Sequence, residues 1–265
     1  MTFKDLGLSE QTVRAIEEMG IKRPTTVQND VIPSVLEGKD IFTIAPGRCG
    51  KTCSYVFPLI DIISRRQGQN ILIITADSAQ AVKVSDRLAV FNKYHEFSEQ
   101  ALSENSDDVN SEANVIIAAP DLLLEIAAED KIDLSAVNIL VVDDINLIKK
   151  KHQLASLEKI LDLLPADKQN IVFTNRRSKE TQDILDKILK TPAEIKVDRT
   201  KEDEASAPEP VAEVKKTSKS LKEKSGFAAP KTDEEAVALM NRYKNFGAKT
   251  PEFLLLKGEL AGNEA

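Results

Sequence analysis

The chain has 265 residues, 42% of them hydrophobic and 30% charged, an ordinary soluble composition that can hold one large core or two small domains. Its net charge of -7 argues against a strong non-specific nucleic-acid binder, while leaving room for a local basic groove. It contains no long apolar run of membrane-spanning type, its first residues Met1-Thr2-Phe3-Lys4-Asp5 lack a signal-peptide core, and its two cysteines are too few for a disulfide framework or a zinc site, so the expectation is a cytoplasmic protein with reduced, non-catalytic thiols.

In chain order the patterning predicts helices over 9–19 and 25–36, a strand at 40–45, a helix over 51–64, a strand at 70–75 and a helix over 78–91. Strands at 114–119 and 137–143, a helix over 152–163, a strand at 170–174, a helix over 178–189 and a strand at 194–197 follow. Ile71-Leu72-Ile73-Ile74 and Ile139-Leu140-Val141-Val142 are apolar at every position, as in strands covered on both faces. The alternation predicts an α/β, doubly wound, mostly parallel sheet flanked by helices. Ligands in such sheets bind beyond the carboxyl ends of the strands.

From Arg199 to about Thr232 the chain turns to Lys, Glu, Ser, Ala and Pro, too poor in apolar surface to offset the entropy of ordering. A helical pattern returns over 233–246, with Ala236, Val237, Met240 and Tyr243 on one face, and Phe253-Leu254-Leu255-Leu256 reads as one more turn or a docking patch. The expected organisation is a domain over 1–198, a disordered charged linker over 199–232 and a short helical tail over 233–265.

Ala45-Pro46-Gly47-Arg48-Cys49-Gly50-Lys51-Thr52 lies between a predicted strand and a predicted helix, the layout of a phosphate-binding loop. A helix N-terminus offers unpaired N–H groups and the positive end of a dipole. In such a loop Lys51 reaches the outer phosphates and the Thr52 hydroxyl binds Mg²⁺. A second element of a nucleotide site is an acid at a neighbouring strand end, and Val141-Val142-Asp143-Asp144 supplies it. There Asp143 would hold Mg²⁺ and Asp144 would face the attacking water; the plainer alternative is a pair of solvated carboxylates that cap the next helix.

Together with Phe3, Gly20-Ile21, Pro24-Thr25 and Gln28, these segments resemble the first RecA-like domain of the DEAD-box RNA helicases. The resemblance runs over about residues 1–198. It implies binding of ATP or ADP with Mg²⁺. Phe3 would stack on the adenine, Ile21 and Pro24 would shape its pocket, and Gln28 would hydrogen-bond its edge. Ala45, Gly47, Gly50, Lys51 and Thr52 would form the phosphate loop, Thr52 and Asp143 would bind the metal, and Asp144 would stand in the place of the catalytic Glu. Without the resemblance, Phe3 reads as core and Gln28 as a surface helix residue.

The chain departs from the family pattern at identifiable places. Arg48 stands where the loop has its middle Gly; it can add a phosphate contact or fill the pocket, and Gly47 can absorb part of the backbone strain. The Asp-Glu-Ala-Asp signature is Asp143-Asp144-Ile145-Asn146, and the Ser-Ala-Thr motif is Thr174-Asn175-Arg176. Asp144 is one methylene shorter than the usual Glu, and Asn146 replaces the Asp that the family links to Ser-Ala-Thr. Segments that carry RNA-binding arginines in the family read Ala76-Asp77-Ser78-Ala79-Gln80 and Ala119-Pro120-Asp121-Leu122, while Lys149-Lys150-Lys151 and Arg176-Arg177 read as solvated faces. His95 and His152 read as surface or boundary residues.

The family unwinds with a second RecA-like domain that brings arginines to the γ-phosphate. No second α/β unit is read after Val197. The expectation is therefore a nucleotide-binding, helicase-like protein with only weak single-stranded RNA binding and no unwinding of its own. Its alternatives are a nucleotide-independent scaffold that docks a protein partner through 199–265, or an RNA-dependent ATPase subunit completed by that partner.

Overall fold

In the computed structural model, residues 1–66, 68–103, 109–110 and 112–197 are described. The linker and tail expected over 199–265 lie outside the described residues. Seven strands make one sheet: β1 (Ile41–Ile44), β2 (Ile71–Ile74), β3 (Glu99–Ala101), β4 (Val115–Ala118), β5 (Ile139–Val142), β6 (Gln169–Thr174) and β7 (Ala193–Lys196). Their order is β3-β4-β2-β5-β6-β1-β7, and every adjacent pair is parallel.

Side chains alternate across each strand, so the continuous apolar runs feed two separate cores. Ile71, Ile73, Ile139, Val141, Ile171 and Phe173 point to one face, and Leu72, Ile74, Leu140, Val142 and Val172 to the other. The first face is covered by α1 (Glu10–Glu18), α2 (Thr26–Leu36), α3 (Lys51–Arg65) and α4 (Ser78–Phe91). The second is covered by α5 (Pro120–Ala128), α6 (Ile145–Lys150), α7 (Leu154–Leu163) and α8 (Gln182–Ile188). Helix α3 is buried on every side from Cys53 to Ile63, as befits a helix enclosed by other elements rather than lying at the surface.

Helix starts follow local chemistry. Ser9 accepts the Thr12 N–H, Asp77 accepts the Gln80 N–H at 2.9 Å, and Pro120 opens α5 at the position where its missing N–H costs nothing. The chain also forms β3, α5 and α6, which the patterning did not single out. Strand β3 is a three-residue edge strand, Glu-Gln-Ala, half-buried and without an apolar run. Among the described residues no helix is long and apolar enough to cross a membrane.

Candidate nucleotide site

Strands β5, β6 and β1 are neighbours, so the three motifs that follow them meet at one edge of the sheet. The ladder continues one step past the strands: Ala45 N–H donates to Thr174 O at 3.0 Å and Asp143 N–H donates to Ile74 O at 2.9 Å. This fixes the start of the 45–52 loop and the acidic pair to the rigid sheet.

The loop is braced from α2. Thr25, the N-cap of α2, donates through Oγ1 to Cys49 O at 2.9 Å, and Gln28 Nε2 donates to Gly50 O at 3.3 Å. Cys49 Sγ donates to Pro46 O at 3.1 Å. Gly50 takes φ +90°, and a Cβ there would lie 2.7 Å from Gln28 Nε2 and 3.0 Å from Thr25 Oγ1. Only glycine meets both demands. The N–H groups of Gly50, Lys51 and Thr52, at the mouth of α3, donate to no backbone carbonyl among the described residues. That is the donor set an oxyanion takes.

Arg48 carries a left-handed turn itself, with φ 65°, while Gly47 stays outside that region. The strain therefore falls on the arginine, not on the glycine expected to relieve it. The Arg48 side chain is exposed, so the guanidinium does not fill the loop.

Lys51 is nearly buried and its ammonium is shared. It donates to Ala45 O at 3.2 Å and lies 3.6 Å from Asp144 Oδ2. Asp144 is buried, adopts φ 65° and ψ 79° just before α6, and leaves its Oδ1 without a partner among the described residues. Burial pushes Asp143 up to about 6, the neighbouring Asp144 charge adds to this, and Lys51 offsets part of it. The fully buried Tyr55 hydroxyl lies close enough to Asp143 and Thr52 to sense both, yet is aligned with neither as a hydrogen bond. A desolvated carboxylate with orphaned oxygens beside it fits a hydrated divalent cation, which Mg²⁺ sites hold through one or two carboxylates plus substrate phosphates. Thr52 and Asp143 are the residues expected from the sequence to hold it. Among the described residues no cluster of three or more His, Cys, Asp or Glu forms a dedicated metal cage.

The adenine-reading residues divide. Ile21 and Pro24 stay partly exposed beside the loop brace. Phe3 is 2% exposed, its ring set edge-on against Phe57 at 5.7 Å, so it belongs to the core and offers no face for stacking. Gln28 is buried, and its amide is spent inside the protein: Oε1 accepts the Thr25 N–H at 3.0 Å while Nε2 braces Gly50. Its role here is to hold the loop.

The substituted link between the acidic motif and the end of β6 is intact. Asn146 Nδ2 shares its two hydrogens among Thr174 Oγ1 at 2.7 Å, Asn175 Oδ1 at 3.1 Å and Arg176 O at 2.7 Å. On the opposite half of the sheet edge the substitutions serve the fold. Asp77 caps α4 and pairs with Lys151 at 3.2 Å, and Lys149 pairs with Glu180. Asp121 sits in the first turn of α5, where its charge suits the helix dipole.

Burial pushes the Cys53 thiol up to about 11, which makes it a poor nucleophile. His152 is exposed, with φ 61°, in the turn after α6. His95 is half-buried and bridges Thr12 Oγ1 at 2.9 Å and Ser64 Oγ at 2.8 Å; burial holds its pKa below the ordinary value. Sequence reasoning missed Asp61, a fully buried carboxylate on α3. It accepts from Ser9 N at 2.6 Å and from Arg65 at 3.0 Å, and ties down the start of α1. Nothing local marks it, because Ser9 and Asp61 are joined only by the packing of α1 on α3.

Comparison with known proteins gives a consistent picture. A family model described as DEAD/DEAH box helicase matches residues 25–184. The DEAD-box ATP-dependent RNA helicase RhpA of Helicobacter pylori strain B128 is 26% identical over 202 residues, covering 74% of this chain and 41% of that protein. The RhpA of strain ATCC 700392 / 26695 gives the same figures, so the chain spans less than half the length of these relatives. A DEAD box protein from the hyperthermophile Methanococcus jannaschii has a similar fold, with TM-score 0.70 at 23% identity over 75% of this chain and 56% of that one. A hypothetical ATP-dependent RNA helicase from Sulfolobus tokodaii follows with TM-score 0.65, 23% identity, 72% of this chain and 57% of that one.

Proposed function

The chain belongs to the DEAD/DEAH box helicase family, and from that premise we propose that residues 1–198 bind ATP or ADP with Mg²⁺ and hydrolyse it slowly or not at all. The observation that carries this reading is the convergence of Lys51, Asp144 and the open N–H groups of α3 at adjoining strand ends. The oxyanion would take those N–H groups and Lys51. A bound Mg²⁺ would supply charge neutralisation at the phosphates. Thr52 and Asp143 would hold it, and Asp144 would orient water from a shorter side chain than the family's Glu. A displacement near 1 Å costs about a hundredfold in rate.

RNA affinity is weak in this reading, because Ser78 and Leu122 stand where the family carries arginines, and Asp77 and Asp121 add negative charge beside them. Unwinding by this chain alone is not expected, the setting is cytoplasmic, and 199–265 is the segment offered to a protein partner. Calorimetry with Mg-ADP on the native chain and on Lys51→Ala tests the proposal. Binding by the first and not the second is expected; no binding by either at millimolar nucleotide removes it.

A second reading is a nucleotide-independent scaffold. It is favoured by Gln28 and Phe3, which serve the fold rather than an open adenine pocket. Partner capture that survives Lys51→Ala but not removal of 199–265 would support it. A third reading, an RNA-dependent ATPase completed by a partner, requires phosphate release that depends on Asp144.

A further inference from the structure

Beyond β1, β6 and β7 the carboxyl edge of the sheet holds a cleft of about 410 Å³, a size suited to a small polar group. Ala45 and Pro46, the first residues of the phosphate loop, form part of its lining, together with Arg176, Arg177 and Lys196. Among the described residues the one carboxylate that lines it, Glu194, is taken by Arg177, whose guanidinium also lies over the Phe42 ring, 5.5 Å from the centroid. Arg176 and Lys196 are exposed, and neither has an ion-pair partner among the described residues. In a chain of net charge -7, two uncompensated cations in one cleft call for an anion.

The surroundings narrow its identity. Ile21, Pro24 and Gln28 do not line the cleft, so it is not a base pocket. Among the described residues it offers no aromatic platform either, since Phe42 is 4% exposed beneath Arg177, and a stacked single strand finds none there to rest on. The cleft meets the loop at Ala45, whose carbonyl accepts the Lys51 ammonium at 3.2 Å. The remaining ligand chemistry is a phosphate oxyanion adjoining the one that Lys51 would hold in the nucleotide reading.

We propose that Arg176, assisted by Lys196, binds the terminal phosphate of a nucleoside triphosphate and so supplies from within this domain a positive charge on the outer phosphate. The proposal rests on the nucleotide reading above and adds to it a preference for triphosphate over diphosphate. The Arg176 carbonyl accepts from Asn146 Nδ2 at 2.7 Å, so the segment that carries this charge is tied to the helix that follows Asp144.

The test is calorimetric titration of the full chain with Mg-ATP and with Mg-ADP, repeated on Arg176→Ala, Arg176→Lys and Lys51→Ala. Loss of a charge-assisted hydrogen bond weakens Mg-ATP binding about ten- to a hundredfold in Arg176→Ala and leaves Mg-ADP within about twofold, with partial recovery in Arg176→Lys. The side chain is exposed and the Asn146 contact is to backbone, so the melting temperature is expected to hold; should it fall, Lys196→Ala gives the same comparison with a smaller loss. Equal weakening of both nucleotides overturns the assignment to the terminal phosphate. An unchanged Mg-ATP affinity, with binding abolished in Lys51→Ala, overturns it too while the nucleotide site stands. Failure of the wild-type chain to bind either nucleotide removes the nucleotide reading, and this proposal with it.

Discussion

Asn146 Nδ2 donates to Thr174 Oγ1 over 2.7 Å, and its third acceptor, Arg176 O, can only accept. The amide orientation follows, and so does the reason for an Asn at a position where the family carries Asp. An ionised carboxylate would face the Arg176 carbonyl and Asn175 Oδ1 with no hydrogen to give.

Asn146→Asp, the change toward the family signature, is therefore expected to destabilise the chain by about 1–3 kcal/mol at neutral pH. The penalty shrinks as pH falls, because a protonated carboxyl can donate again. Denaturant titration at pH 7 and pH 4 checks this. Equal stability of variant and parent at pH 7 would show that the contact is not required.

Gly50→Ala would force a Cβ to within 2.7 Å of Gln28 Nε2 at a φ of +90°. A loss of about 1–3 kcal/mol is expected, together with loss of Mg-ADP binding, since Gln28 must leave the loop it braces. Thermal melting and calorimetry read the two effects separately.

Arg48→Gly relieves a left-handed arginine at φ 65°. Relief of about 1–2 kcal/mol is partly offset by the greater freedom of glycine in the unfolded chain, leaving a gain of about 0.5–1 kcal/mol. A fall in melting temperature would show that the guanidinium contributes more than its backbone costs.

Asp143 titrates at about 6 in the fold, above its unfolded value, so the folded chain binds the extra proton more tightly. Its contribution to stability is present at low pH and is lost as pH rises from about 4 to 6. Asp143→Asn is expected to flatten this slope and to stabilise the nucleotide-free chain near pH 7. In the proposed site Mg²⁺ would compete with the same proton, so Mg-dependent nucleotide affinity should rise between pH 5 and pH 7, and Asp143→Asn should abolish that rise. An unchanged affinity across this range would remove Asp143 from the metal site.

The sheet was legible because its information is local. Ile71–Ile74 and Ile139–Val142 are short runs apolar at every position, as in a strand buried on two faces, and the structure gives both faces their own core. The 45–52 loop was legible for the same reason, its donors being contiguous. Strand β3 escaped notice because a half-buried edge strand of three residues asks little of its side chains. Helix α5 announced itself only through Pro120 at its first position.

What the residues do at the site was decided by packing between distant segments. Phe3 carries a family spacing, but the nearness of Phe57 turns its ring into the core. Gln28 matches an adenine reader, yet the approach of α2 to Gly50 commits its amide to the loop. Whether Arg48 or Gly47 would carry the left-handed turn depended on where the rigid sheet and α3 anchor the loop ends. Chain pattern fixes which groups arrive at a sheet edge, whereas a hydrogen bond fixed to a few tenths of an ångström depends on how whole helices pack, and no short stretch of residues encodes that.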